Sequence, residues 1–274
     1  AFDGFRAPIK SFTFPSQASN ACYRLSTIQP GTYALLVYHD ENANGRLDRN
    51  FVGIPKEPVG FANGYAPRGA PSFFHASVDI TNAAMQRFEV PLTKPLGRRG
   101  RIGVGGCVLG QSSPYRGSTG NPILAFPAIT YIGKRIQIFG PMAQIALAGN
   151  GDLRLAGTLG FRLGSYKESD SKWLEGLGDR KATIMGGLAL KWECTSGVDV
   201  SLKYNHDVID RVGGGVSQLG IQRPLRWGRM GLTPSFAINW QSSALANHDF
   251  GVPNRNATTE RPAYRLGDTT SVEA

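Results

Sequence analysis

The 274-residue chain carries 35 Gly, 17 Pro and 3 Cys, with 30 Lys/Arg against 20 Asp/Glu for a formal net charge of +10. Its 41% of hydrophobic residues allow a buried core and exclude disorder on composition, and its glycines follow no collagen-like period. The longest unbroken apolar run, Tyr33 to Tyr38, falls far short of the ~18 residues of a membrane helix; a membrane β-barrel stays open, because its signal is alternating and weak per segment.

The sequence starts Ala-Phe-Asp-Gly, without an initiator Met or a signal-peptide pattern, which suits a mature form or a fragment. Cys22, Cys107 and Cys194 are widely spaced and odd in number, which argues against a disulfide framework and a C-x-x-C site. Residues 1–96 hold 9 Lys/Arg against 7 Asp/Glu, and residues 97–274 hold 21 against 13. Apart from Arg98, Arg99 and Arg101 the cations are dispersed, which speaks against nucleic acid as a partner.

In chain order, Gly31 to His39 reads as one buried strand entered by a Pro30-Gly31 turn. Residues 40–75 are too rich in Gly and Pro for helix, and residues 76–80 and 87–92 alternate like strands. Together they predict a small β-sandwich over residues 1–96 with one elaborate loop. That loop opens with Asp40, Asn42, Asn44, Gly45 and Asp48, the spacing of a calcium-binding loop in which the Arg46 carbonyl is a further ligand. Oxygens two residues apart, with a glycine for the sharp turn, can converge on one hard cation. The bidentate Glu of such loops is replaced by Phe51, and Glu41 or Glu57 could stand in only if the chain folds back. The other reading is a polar turn in which the same side chains cap their own backbone. His39 and His75, and the pairs His206-Asp207 and His248-Asp249, read as structural or rim residues.

Residues 93–101 combine Pro, Gly and the basic cluster into a linker. Beyond it, period two recurs over 152–163, 181–193, 198–205 and 230–240. One face is apolar (Leu153, Phe161, Leu190, Trp192, Leu202, Trp240). The other is mostly small, as inside a narrow barrel. Tyr131, Trp192, Tyr204, Trp227 and Trp240 sit near segment ends, where interfacial girdles form. A soluble sandwich would alternate as well, so lipid contact rests on the smallness of the polar face. The inward charges Arg154, Arg162, Lys191, Glu193, Asp199 and Lys203 are candidate lumen-lining residues, forming either a salt-bridge network or a pore lining. No G-x-S-x-G, H-E-x-x-H or P-loop pattern occurs, and no nucleophile–base set emerges.

The run from Tyr33 to Asp48, with Gly53-Ile54-Pro55-Lys56-Glu57-Pro58, Gly60-Phe61-Ala62-Asn63 and Pro71-Ser72-Phe73, resembles an uncharacterised bacterial family, domain of unknown function 2141. The resemblance covers about residues 20–92 and implies an exported β-rich domain without established activity. Pro114-Tyr115-Arg116-Gly117-Ser118, Pro127-Ala128-Ile129-Thr130-Tyr131, Leu174-Glu175-Gly176-Leu177-Gly178-Asp179, and Asp249-Phe250-Gly251-Val252 with Tyr264 resemble the MltA-interacting protein / outer membrane protein V family over about 100–274. That resemblance implies an outer-membrane β-barrel of Gram-negative bacteria. The family name records a scaffold bridging a murein hydrolase and a synthase, and other members are discussed as porin-like or adhesive. Thr119-Gly120-Asn121 replaces an acidic pair common in the family, and the ending Ser271-Val272-Glu273-Ala274 lacks a final aromatic-ending strand.

The expectation is therefore an all-β chain: a small N-terminal β-sandwich (1–96), periplasmic, followed by an antiparallel outer-membrane β-barrel (97–274) that is incomplete, with about eight strand candidates after residue 100. The expected role is non-enzymatic, an envelope scaffold or anchor for peptidoglycan-remodelling machinery, with outer-membrane lipid and peptidoglycan hydrolase or synthase proteins as partners and calcium as the one cofactor considered. The alternative is a small-solute channel.

Overall fold

The computed structural model describes residues 8–16, 20–26, 28–67, 71–82, 85–110, 113–118, 123–227 and 230–274. Thr119, Gly120, Asn121 and the Trp227 side chain, singled out above, lie outside the described residues.

The N-terminal part contains strands β1 (Gly31–Ala34), β2 (Leu36–Tyr38) and β3 (Val59–Phe61), a single helical turn α1 (Phe73–Ala76) and strand β4 (Ser77–Ile80). β1 pairs with β4 and β2 with β3, both antiparallel, so the run expected to be one strand divides at Leu35 between two partners. α1 covers the last three residues of the stretch expected to hold no helix and takes Ala76 from the segment expected to be a strand. Residues 87–92 form no strand, and the physical reason is Pro91, which has no N–H to give to a ladder. Its carbonyl lies so near Gly60 that a Cβ there would meet the oxygen at 2.3 Å. Pairing resumes only at Val59 and Thr93, which exchange backbone hydrogen bonds of 2.9 and 3.0 Å.

The C-terminal part consists of β5 (Arg101–Gly110), β6 (Ile123–Ile132), β7 (Ile136–Phe139), β8 (Met142–Ala148), β9 (Leu153–Arg162), β10 (Thr183–Glu193), β11 (Asp199–Asp207), β12 (Gly215–Gln222), β13 (Leu225–Trp227), β14 (Met230–Leu232), β15 (Ser235–Gln241), helix α2 (Ser243–Phe250) and β16 (Thr269–Glu273). Ten of these strands form one antiparallel sheet in the order β16-β15-β12-β11-β10-β9-β8-β7-β6-β5, with β16 and β5 as open edges. β13 and β14 form a separate hairpin. The described strands after residue 100 thus exceed the eight expected. The segment 230–240 is divided at Pro234, and β5 is too glycine-rich to alternate visibly.

Register explains why the sheet has two chemical faces. Leu155, Leu190, Leu202, Leu219, Ile238 and Val272 are direct cross-strand partners in one unbroken row over six strands. One residue along, every side chain turns to the opposite face, and the row reads Arg154, Lys191, Ser201, Gly220, Ala237 and Glu273. The apolar face is uncovered: Leu153, Leu159, Phe161, Leu188, Leu190, Trp192, Leu202 and Tyr204 are each 36–54% exposed. The two ends differ as well. At one end lie the tight connections 133–135, 149–152 and 194–198 and the β13–β14 hairpin, and at the other the long connections 163–182 and 242–268. Among the described residues no helix is long and apolar enough to cross a membrane.

Candidate functional site

Two groups of predicted residues converge near the tight-turn end. In the loop Asp40–Asp48, the Asp40 carboxylate accepts from the N–H groups of Asn44 (3.2 Å) and Gly45 (2.7 Å), and Asn44 Oδ1 accepts from Arg46 N–H at 2.9 Å. The Asn42 and Asn44 amides donate to the two Asp48 oxygens at 3.1 and 3.0 Å. Gly45 has φ +76°, the left-handed region that glycine enters without steric cost. Glu57 does fold back: its carboxylate, buried, accepts from Glu41 N–H at 3.0 Å and Asp48 N–H at 2.9 Å. These oxygens serve the loop's own backbone N–H groups and side-chain amides. Among the described residues no group of three or more His, Cys, Asp or Glu side chains is placed to hold a metal ion. His39 and His75 lie apart: His39 reaches Ser16 Oγ at 3.3 Å, and His75 stacks on Tyr65.

Directly after this loop the chain presses onto the polar face of the sheet. Phe51, the residue standing where a calcium loop would carry Glu, packs in a buried cluster with Ala156 of β9 and Ala189 of β10. Small residues there are the condition for an aromatic ring to enter. Arg49 donates to Glu193 Oε2 at 2.5 Å and to Asp152 Oδ1 at 2.6 Å. Arg154 donates through Nη1 to the Asn50 carbonyl at 2.7 Å and through Nη2 to Glu193 Oε1. Lys191 Nζ stands 3.2 Å from Glu193 and 3.4 Å from Asp199, and Gln222 also donates to Asp199. Asn50, fully buried, donates to the Gly133 carbonyl at 3.0 Å, and Arg49 N–H donates to Asn150 O at 2.8 Å. A buried charge is tolerable only when paired and hydrogen-bonded; here one carboxylate, Glu193, serves three cations.

Four of the six charges expected inside the barrel, Arg154, Lys191, Glu193 and Asp199, therefore meet in one network. The other two do not join it. Lys203, although on the same face by register, is exposed. Arg162 pairs at the opposite end with Asp249 of α2 at 2.6 Å. Asp249 also accepts from Gln241, and its carboxyl, which burial alone would push up, is held below the usual range by His248 and Arg162. Sequence reasoning missed Arg49, Asn50, Phe51 and Asp152. Arg49 and Glu193 are 144 residues apart, and no local spacing announces that partnership.

An antiparallel sheet with an apolar, uncovered outer face and an ion-paired inner face is the construction of an outer-membrane β-barrel protein, in which the bilayer covers what water would not. The aromatic residues agree: Trp192 stands exposed at the tight-turn end of β10, and Trp240 near the long-connection end of β15.

The chain belongs to the MltA-interacting protein MipA family, whose model matches residues 104–273. Residues 3–87 match a family described as an uncharacterized protein conserved in bacteria (domain of unknown function 2141). Outer membrane protein Omp26La of Vibrio anguillarum is 31% identical over 103 residues, covering 38% of this chain and 40% of the relative. Outer membrane protein OmpV of Vibrio cholerae is 30% identical over the same length, with the same shares. The matched segment thus spans about two fifths of the length of these curated relatives. No solved structure matches the chain. The protein is an outer-membrane protein, as its family and these relatives are.

Proposed function

We propose that this protein is a non-enzymatic envelope anchor, in which residues 97–274 form the membrane domain and residues 1–96 a periplasmic interaction module for peptidoglycan-remodelling enzymes. The observation that carries this reading is the seating of Arg49, Asn50 and Phe51 on the polar face of β9 and β10. A conduit for solutes needs that face open, whereas an anchor gains from having its module locked to it. Outer-membrane barrels turn tightly on the periplasmic side and carry longer loops outside. The module contacts the tight connections at Gly133, Asn150 and Asp152, which favours the periplasm as its location. The apolar row facing away from the module supports lipid as the partner of the sheet. The family description, an interactor of MltA, supports a peptidoglycan enzyme as the kind of protein the module receives.

Planar-bilayer recording on the reconstituted full chain tests the choice between anchor and channel. The expected trace is free of unitary steps. Steady single-channel steps would overturn the anchor in favour of the channel.

A further inference from the structure

At the long-connection end the structure holds a cavity of about 370 Å³, away from the module and from the Glu193 network. Its walls are aromatic. Tyr115 meets Tyr166 edge-on at 4.8 Å and lies 6.1 Å from Phe250, and Trp173 and Tyr264 also line the cavity, which is open to one side. Two cations, Arg116 and Arg261, are set into these walls: the Arg116 guanidinium stands 4.4 Å over the Trp173 ring, and behind the wall Arg180 stands 5.1 Å over Tyr166.

Two donors in this wall lack acceptors. Tyr166 is 6% exposed; its hydroxyl oxygen faces the Arg180 guanidinium, and its O–H donates to no acceptor. Arg261 spends Nη1 on the Trp173 and Glu175 carbonyls (2.6 and 2.9 Å) and Nη2 on that of Asn256 (2.8 Å), which leaves its buried Nε–H unpaired. Buried donors without partners are costly and uncommon, so each marks a place for an acceptor. Of the acids in the wall, Asp249 is already paired with Arg162 and His248, and Glu260 is the other. Cations therefore outnumber unspent carboxylates.

We propose that this cavity, between Tyr115, Tyr166, Trp173 and Arg261, binds an anionic sugar of monosaccharide size, a sugar acid or sugar phosphate. The apolar face of a pyranose ring matches the aromatic walls. An anionic oxygen matches the orphan donors and the guanidinium groups, in charge-assisted hydrogen bonds stronger than neutral ones. The cavity volume lies in the lower part of the range of small-molecule sites. Placement of the site outside the cell rests on the orientation argued above, but binding itself does not, so the two can fail separately.

The test is calorimetric titration of the full chain, folded in detergent micelles, with glucuronate, glucose 1-phosphate, neutral glucose and benzoate. Saturable binding of the two sugar anions, with glucose weaker by about tenfold or more, is expected. Tyr166→Phe removes one oxygen from the wall and is expected to weaken glucuronate by about tenfold. Arg116→Gln, whose guanidinium rests on Trp173, is expected to weaken the anions and leave glucose unchanged. Three results would overturn the proposal: no heat from either sugar anion, an affinity unchanged by Tyr166→Phe, which would leave the orphan donors to water, or benzoate binding as tightly as glucuronate.

Discussion

Glu193 is the shared partner of three cations, Arg49, Arg154 and Lys191, which meet at its two oxygens. Arg154 is 1% exposed and has no water to turn to. Glu193→Gln is therefore expected to cost about 3–5 kcal/mol, the usual penalty for leaving a buried charge unpaired, read as a lowered urea midpoint for the protein folded in vesicles. Asp40 holds two N–H groups of its turn, and Asp40→Ala should lose about 1–2 kcal/mol. The loss is expected to be equal in millimolar calcium and in chelator; a loss confined to calcium would give the loop to the cation instead. Asp249 supplies a pH dependence. Its carboxyl titrates below its unfolded value of about 3.9, so its contribution is complete above that pH and disappears as acid protonates the folded form. Wild type should lose stability below about pH 4 more steeply than Asp249→Asn, as followed by tryptophan fluorescence.

Among the elements, the strands of the sheet were the most legible part of the sequence. β9, β10 and β11 fall within a residue or two of the segments whose apolar positions alternate, because neighbouring side chains of a strand turn to the two faces of the sheet, one apolar and one polar. β5 hid because Gly103, Gly105 and Gly106 break the alternation; at Gly103 the reason is contact, since a Cβ there would meet Thr130 Oγ1 at 2.5 Å. α2 hid because its eight residues bury only Leu245, Ala246 and Asp249, too few to print a helical stripe. The ion network was half legible. Register put Arg154, Lys191, Glu193 and Asp199 on one face, but the insertion of residues 49–51 between them depends on contacts across more than a hundred positions, which no periodicity encodes. The seat itself can be probed through Phe51: Phe51→Ala should cost about 3–5 kcal/mol by leaving a void beside Ala156 and Ala189, and should make the tight-turn end more susceptible to protease.

At the scale of the whole molecule, the apolar face decides the solvent. Half-exposed Leu, Ile, Phe and Trp stand in contiguous rows across neighbouring strands, and an uncovered apolar face of this kind marks a surface meant for a partner or a membrane. The folded chain is expected to be monodisperse in detergent or lipid and to aggregate in buffer alone, by light scattering; a monodisperse sample without amphiphile would return the sheet to the soluble sandwiches. The seating of the module has a mechanical consequence. Its ties to Gly133, Asn150, Asp152, Arg154 and Glu193 reach several turns and strands at once, side by side. Under the proposed anchoring role, tension on the module would be shared among all of them in parallel, so that they rupture together rather than unzip one after another. For the anchor proposed above, a cell wall that swells and shrinks against the outer membrane would load these ties in just that way.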